Sequence, residues 1–237
     1  MNEKGGLGRA LRRMMGVVPP SGDRPRGGGE SVLMNATRLR IFQVLCNRPC
    51  SHVRAISREV GVAPPSVLWH LEKLLGRGLV RRQSIGNRAV YYPSDMLEAG
   101  DVELLAFIES GHRGRAIKTV LDHPGISQGE LVRLSGANGH ALGALAGKGL
   151  MQMVKDGRHR RYYPATLLRQ KQDHYEHRAR RFRQSLLSRL ADEGLAPETV
   201  RYDRHHLEVR VTLGTSEENL LLLCNPFSLE ARMLNRE

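Results

Sequence analysis

"SHVRAISREVGVAPPSVLWHLEKLLGRGLVRR", residues 51–82, decides the architecture. Ser51 stands as a candidate N-cap for a helix that Gly61 closes. A short "VA" turn leads to Pro64 and Pro65, which suit the first turn of a further helix, where a missing N–H costs little. That helix runs to about Arg77, and Gly78 ends it. Upstream, from Thr37, the apolar residues Leu39, Ile41, Phe42, Val44 and Leu45 give an earlier helix. Downstream, "LVRRQS" and "AVYYP" flank a "GN" turn, a hairpin signal. Three helices followed by a hairpin are therefore expected within residues 34–95.

The unit recurs. "GRGLVRRQSIGNRAVYYP" at 76–93 returns as "GKGLMQMVKDGRHRRYYP" at 147–164, matching at Gly76/Gly147, Gly78/Gly149, Leu79/Leu150, Gly86/Gly157 and the Tyr-Tyr-Pro ends. One tyrosine of each pair, Tyr91-Tyr92 and Tyr162-Tyr163, is expected to close the core under its hairpin. A second unit over 96–165 contains a helical segment at 101–110, the helix "RGRAIKTVLDHPG", and "SQGELVRLSG" with Ser127 and Glu130 as a capping box. Asp156-Gly157 is its expected hairpin turn. The copies differ between the helix-closing glycine and the leucine of the third helix. Gly61 to Leu71 is ten residues, whereas Gly136 to Leu142 is six. What remains, "NGHALGALAGK", holds Gly139, Gly143 and Gly147, each costing roughly 1 kcal/mol against alanine in a helix interior. It offers only Asn138, His140 and Lys148 as polar side chains, so it is expected to pack against protein.

Outside the repeat, residues 1–33 ("PPSGDRPRGGGE") are too poor in apolar side chains to fold and are expected to be a disordered basic tail. Alternatively, translation starts at Met34, where "MNATRLRIF" resembles a natural beginning. Residues 166–194 form one long helix whose seam of Leu168, Tyr175, Ala179, Phe182, Leu186 and Leu190 suits pairing with a second copy, giving a homodimer. The alternative is packing on its own chain. Over 195–237, "HLEVRVTLG" alternates as a one-faced strand. "TVRYD" and "LLLLC" supply two neighbours of a small antiparallel sheet.

Lys and Arg outnumber Asp and Glu by 37 to 24, a net charge of +13 that favours an acidic partner, nucleic acid first. The excess is local. Residues 36–95 hold ten basic and three acidic side chains, whereas 96–165 hold nine and seven. No apolar run approaches the roughly 20 residues of a membrane span, and no signal peptide is evident. Three cysteines (Cys46, Cys50, Cys224) suit a reducing interior, so a soluble, cytoplasmic, nucleoid-associated protein is expected.

Residues 51–82 resemble winged-helix regulators of the ArsR and MarR kind, particularly archaeal proteins with two such modules. The likeness is good over 36–95, weaker over 112–165 and slight beyond. The expected fold class is mainly α with small β wings (α+β): tandem winged helix-turn-helix domains, a long C-terminal helix and a small antiparallel β element. In the helix from Pro64, Val67, Leu68, Leu71, Leu74 and Leu75 fall on one arc and Ser66, Trp69, His70, Lys73 and Arg77 on the other. In winged-helix domains the second arc enters the major groove, and a solvated face is the plain alternative. Trp69 suits thymine methyls or packing against a neighbouring element equally. Arg81, Arg82, Asn87 and Arg88 on the first hairpin, and Lys155, Arg158, His159, Arg160 and Arg161 on the second, suit phosphates or a narrow minor groove.

The resemblance also raises metal or thiol sensing by Cys46, Cys50 and His52, but Pro49 interrupts the helix between the cysteines, and core or surface cysteines are preferred. His174/His177 and His205/His206 lack acidic or thiol companions in a recognised arrangement. With no nucleophile elbow, phosphate-binding loop or HExxH, neither catalysis, a cofactor nor a metal is expected. The expected partner is double-stranded DNA, bound sequence-specifically by a transcriptional regulator with an unknown effector. A protein-interaction scaffold and a non-specific chromatin or RNA binder are the alternatives.

Overall fold

The computed structural model describes residues 31–229, and its element boundaries follow local signals. Helix α1 (Ala36–Asn47) begins where the Asn35 side chain accepts from Arg38 N at 3.1 Å. Helix α2 (Val53–Val60) ends at Gly61, whose φ of +76° is the left-handed conformation that terminates helices. Helix α3 (Pro64–Gly76) opens on its two prolines. Strands β1 (Val80–Ile85) and β2 (Arg88–Pro93) pair antiparallel around Gly86-Asn87. Ser51 is not the cap expected of it. His52 occupies that position, while the Ser51 hydroxyl donates to Arg48 O at 2.6 Å and its carbonyl accepts from Tyr91 N at 2.9 Å. Ser51 thereby ties α2 to the hairpin, which a helix cap would not do.

The element order then repeats. After α4 (Ala99–Glu109) come α5 (Arg113–Asp122), the two-residue strand β3 (Ile126–Ser127), α6 (Gln128–Ser135) and α7 (Gly139–Gly147). Strands β4 (Met151–Asp156) and β5 (His159–Pro164) close the unit, in the sheet order β3-β5-β4. The Ser127–Glu130 capping box is present. Asp156 pairs with His159 as the last ladder residue, so the turn is Gly157-Arg158, one position beyond the expected site. The length difference is real: α3 has 13 residues and α7 has 9. Tyr91 and Tyr92 are both buried, not one of them, while Tyr162 is buried and Tyr163 partly exposed.

Helix α8 (Thr166–Asp192) carries 27 residues, about 40 Å of helix at 1.5 Å per residue. Its seam is already occupied. Leu168, Tyr175, Ala179, Phe182, Leu186 and Leu190 are all buried within the single chain, which corrects their assignment to a homodimer through 166–194. An apolar stripe states that a face is covered but not by whom. Here Tyr175 stacks on Phe227 at 5.1 Å between centroids, donates to Asp101 Oδ2 at 3.0 Å and accepts from Glu98 N at 3.0 Å. Farther along, Arg189 donates to Gly78 O at 2.5 Å and to Asp95 Oδ2 at 2.6 Å. The helix is thus bonded to both the end of the first unit and the start of α4.

The last three strands, β6 (Glu198–Tyr202), β7 (His206–Leu213) and β8 (Ser216–Leu223), form an antiparallel sheet in sequence order. Leu207, Val209 and Val211 alternate inward, as their spacing predicts. β8 is an edge strand, and Asn47 at the end of α1 satisfies part of that edge. Its amide donates to Leu221 O and accepts from Leu223 N, both at 2.9 Å.

The tail expected over 1–33 lies outside the described residues up to residue 30, but 31–33 are not tail. Leu33 is fully buried, and Glu193, itself 7% exposed, accepts from Val32 N at 2.5 Å, Leu33 N at 3.2 Å and the Ser31 hydroxyl. Three oriented donors justify burying that carboxylate. Leu33→Ala is expected to cost about 2–5 kcal/mol of stability, read as an earlier urea midpoint. A midpoint unchanged within error would show that this segment does not pack.

Candidate nucleic-acid interface

α3 presents Pro65, Leu68, Trp69, Glu72, Lys73 and Gly76 to solvent, a continuous stripe at helical spacing. Val67, His70, Leu71 and Leu74 face inward. Two positions therefore exchange places relative to expectation. His70 is 8% exposed, with its pKa lowered first by burial and then by the nearby Arg38 guanidinium, so it is removed from the reading face. Leu68, assigned to the core by its hydrophobicity, is 42% exposed. Ser66 is half-buried at the border.

Trp69 is 51% exposed and is held as a ledge between two cations: the Arg38 guanidinium lies 5.8 Å and the Lys73 ammonium 5.6 Å from its ring centroid. Such contacts orient the indole and draw the cations over its faces. Arg38 belongs to α1 and escaped sequence reasoning, because only the packing of α1 on α3 brings it to Trp69. Arg77 is exposed and forms a 3.8 Å ion pair with Glu193, so it is partly engaged inside the chain.

On the first hairpin Arg81, Arg82, Asn87 and Arg88 are all exposed. On the second, Lys155, Arg158, His159 and Arg160 are exposed, but Arg161 is not equivalent to them. Its guanidinium donates to Asp156 Oδ2 at 2.7 Å and to Gly125 O at 3.1 Å, which makes it a strut across the hairpin.

α7 departs from expectation in a different way. Gly139, His140, Gly143 and Gly147 are exposed, and an added Cβ at Gly143 or Gly147 would meet nothing within 4 Å. The small-residue face expected to pack against protein is therefore uncovered among the described residues. Leu142 and Leu145, on the opposite side, supply the packing.

The three cysteines form no disulfide and are buried. Burial pushes the Cys46 thiol well up and the Cys224 thiol up to about 12, which leaves both protonated and poor as ligands. In the other two pairs, His174 lies 3.2 Å from Glu98 Oε1, and the His205 and His206 backbone amides donate to Asp203 Oδ1 at 2.7 Å. Among the described residues no group of three or more His, Cys, Asp or Glu could hold a metal ion, and no helix is long and apolar enough to cross a membrane.

A family model for winged helix-turn-helix DNA-binding domains matches residues 34–81, which take in α1 to α3 and enter β1. An uncharacterised HTH-type transcriptional regulator of Methanocaldococcus jannaschii is 36% identical over 76 residues. These residues are 32% of this chain and 19% of the relative, so the chain spans about a fifth of that protein's length.

Proposed function

We propose that the chain is a sequence-specific, double-stranded DNA-binding transcriptional regulator built on tandem winged helices. Residues 34–95 read bases through the outer stripe of α3. Residues 96–165 hold phosphates through the β4–β5 hairpin and leave the bases to the first module. Residues 166–194 brace the two modules, and the described part of the 195–237 element, up to residue 229, backs the first. Such a protein works where the DNA is, in the cytoplasm at the nucleoid.

The observation that carries this is the Arg38–Trp69–Lys73 arrangement, an oriented aromatic ledge flanked by cations on the exposed face of the third helix of a matched DNA-binding domain. The indole suits the methyl edge of thymine, and the ammonium suits guanine O6 and N7 or a phosphate. The shortened α7 has no counterpart of that first turn, whereas its hairpin keeps exposed cations. A second reading, in which the 96–165 module docks a protein, is favoured by the exposure of Leu134, Met153 and Val154 at 45%, 40% and 41%.

Selection of bound duplexes from a random pool, followed by affinity measurements on variants, tests the assignment. Trp69→Ala and Lys73→Ala are each expected to lose about 1–3 kcal/mol on the selected site and to relax its base preference. His140→Ala should change neither. If His140 governs preference and Lys73 does not, the modules are assigned the wrong way round.

A further inference from the structure

The first module and α4 enclose a cleft of about 550 Å³, within the range of small-ligand sites. Its charge is divided. Arg48, Arg58 and Arg88 line the side belonging to the first module, with His52 among them, while Glu103 and Glu109 stand on α4. Ile85, Val90, Ala106 and Phe107 supply an apolar wall. Arg113, also at the cleft, is already fixed: it donates to the Ser110 hydroxyl at 2.5 Å and lies 4.0 Å over the Phe107 ring. Arg48 pairs with Glu59 at 2.7 Å, yet its Nε is buried without a partner. Arg58 and Arg88 are exposed at the cleft and form no ion pair with a described carboxylate; the Arg58 Nε donates to Arg54 O at 3.3 Å, which leaves its terminal nitrogens to the cleft. The lowered pKa of His52, due first to burial and then to Arg88, Arg58, Arg54 and Arg48, follows from the same gathering of positive charge.

We infer that this cleft binds a small organic phosphate monoester, with its head among Arg48, Arg58 and Arg88 and its apolar body against Phe107 and Val90. A carboxylate is matched by one guanidinium fork, whereas several cations converging on one place suit a tetrahedral dianion. Pairing also relieves the mutual repulsion of those cations. The occupant has a regulatory consequence that rests on the DNA reading above. Arg88 belongs to both the cleft and the first hairpin's cationic face, so a bound phosphate competes with the duplex for the same side chain. The coupling is reciprocal: saturating duplex must weaken the monoester by the same factor.

The test uses the full chain at constant ionic strength, with phenyl phosphate as the probe and inorganic phosphate, benzoate and phenol as comparison arms. Thermal unfolding and calorimetric titration report binding without DNA. Phenyl phosphate should raise the melting temperature saturably and bind at least about tenfold more tightly than each comparison arm, the worth of one charge-assisted contact or a buried ring. Arg58→Ala, at an exposed position outside the proposed duplex contacts, should abolish the stabilisation, whereas Arg54→Ala, outside the cleft lining, should keep it. Equal responses to phenyl phosphate and inorganic phosphate, or an undiminished response in Arg58→Ala, would overturn the site as general ion screening. Duplex affinity is measured separately. If phenyl phosphate binds but leaves it unchanged, the competition through Arg88 is overturned and the site stands. If no duplex binds at all, the functional proposal fails, and the cleft is judged on the melting data.

Discussion

Raising salt from 50 to 200 mM is expected to lower the affinity of the full chain for duplex DNA by about 10³-fold or more, because each phosphate neutralised would release condensed counterions. The expectation follows from where the charge lies. Arg81, Arg82 and Arg88 on one hairpin and Lys155, Arg158 and Arg160 on the other are exposed, and a charge spent inside the protein would release no counterion. Arg158→Ala with Arg160→Ala should reduce the slope of log K against log salt by about 0.9 for each phosphate no longer neutralised, while the base preference of a selected site is retained. Arg161→Ala is a different kind of variant. Its side chain spans Asp156 and Gly125, so its removal should lower stability more than the salt slope. A slope unaffected by the Arg158/Arg160 pair would place the second hairpin off the DNA.

Phe182→Ala should cost about 3–5 kcal/mol of unfolding free energy, the range for removing a buried ring from a packed core, and the variant should keep the wild-type mass by light scattering. Phe182 is 4% exposed within one chain, near the middle of the α8 seam. A dimer through that seam would give the opposite pair of results: a concentration-dependent melting temperature in the wild type and a smaller particle in the variant. Urea denaturation at two protein concentrations distinguishes the cases.

Much of the first module was legible in residues 51–82 because its signals are local. Prolines open α3, Gly61 in a left-handed conformation closes α2, and the Gly-Asn turn sets the hairpin register. The same locality made the Ser127–Glu130 capping box readable. What failed was anything requiring a partner distant in sequence. The arc of α3 was centred on its leucines, but the real arc is set by what α1 and α2 cover, which takes in His70 and leaves out Leu68. Arg38 reaches Trp69 only through that packing. Ser51 looks like a cap until Tyr91, forty residues later, claims its carbonyl. The α8 seam has the right spacing for a coiled coil and gives no indication that Phe227, Glu98 and Asp101 of the same chain already engage Tyr175 within it.

The Asn47 amide on the edge of β8 has a kinetic consequence. It joins positions 174 and 176 residues apart, and β8 packs against α1. Contacts of such long sequence separation form late, since loop closure must precede any reward from them. During vectorial synthesis, α1 to α3 leave the ribosome long before β8, and α1 meanwhile lacks the strand that will cover it. DNA-binding competence should therefore mature only once the distal sheet has been made and docked. Nascent chains stalled before residue 206 should expose the back of α1 to chaperones and proteases, whereas full-length chains released from the ribosome should not.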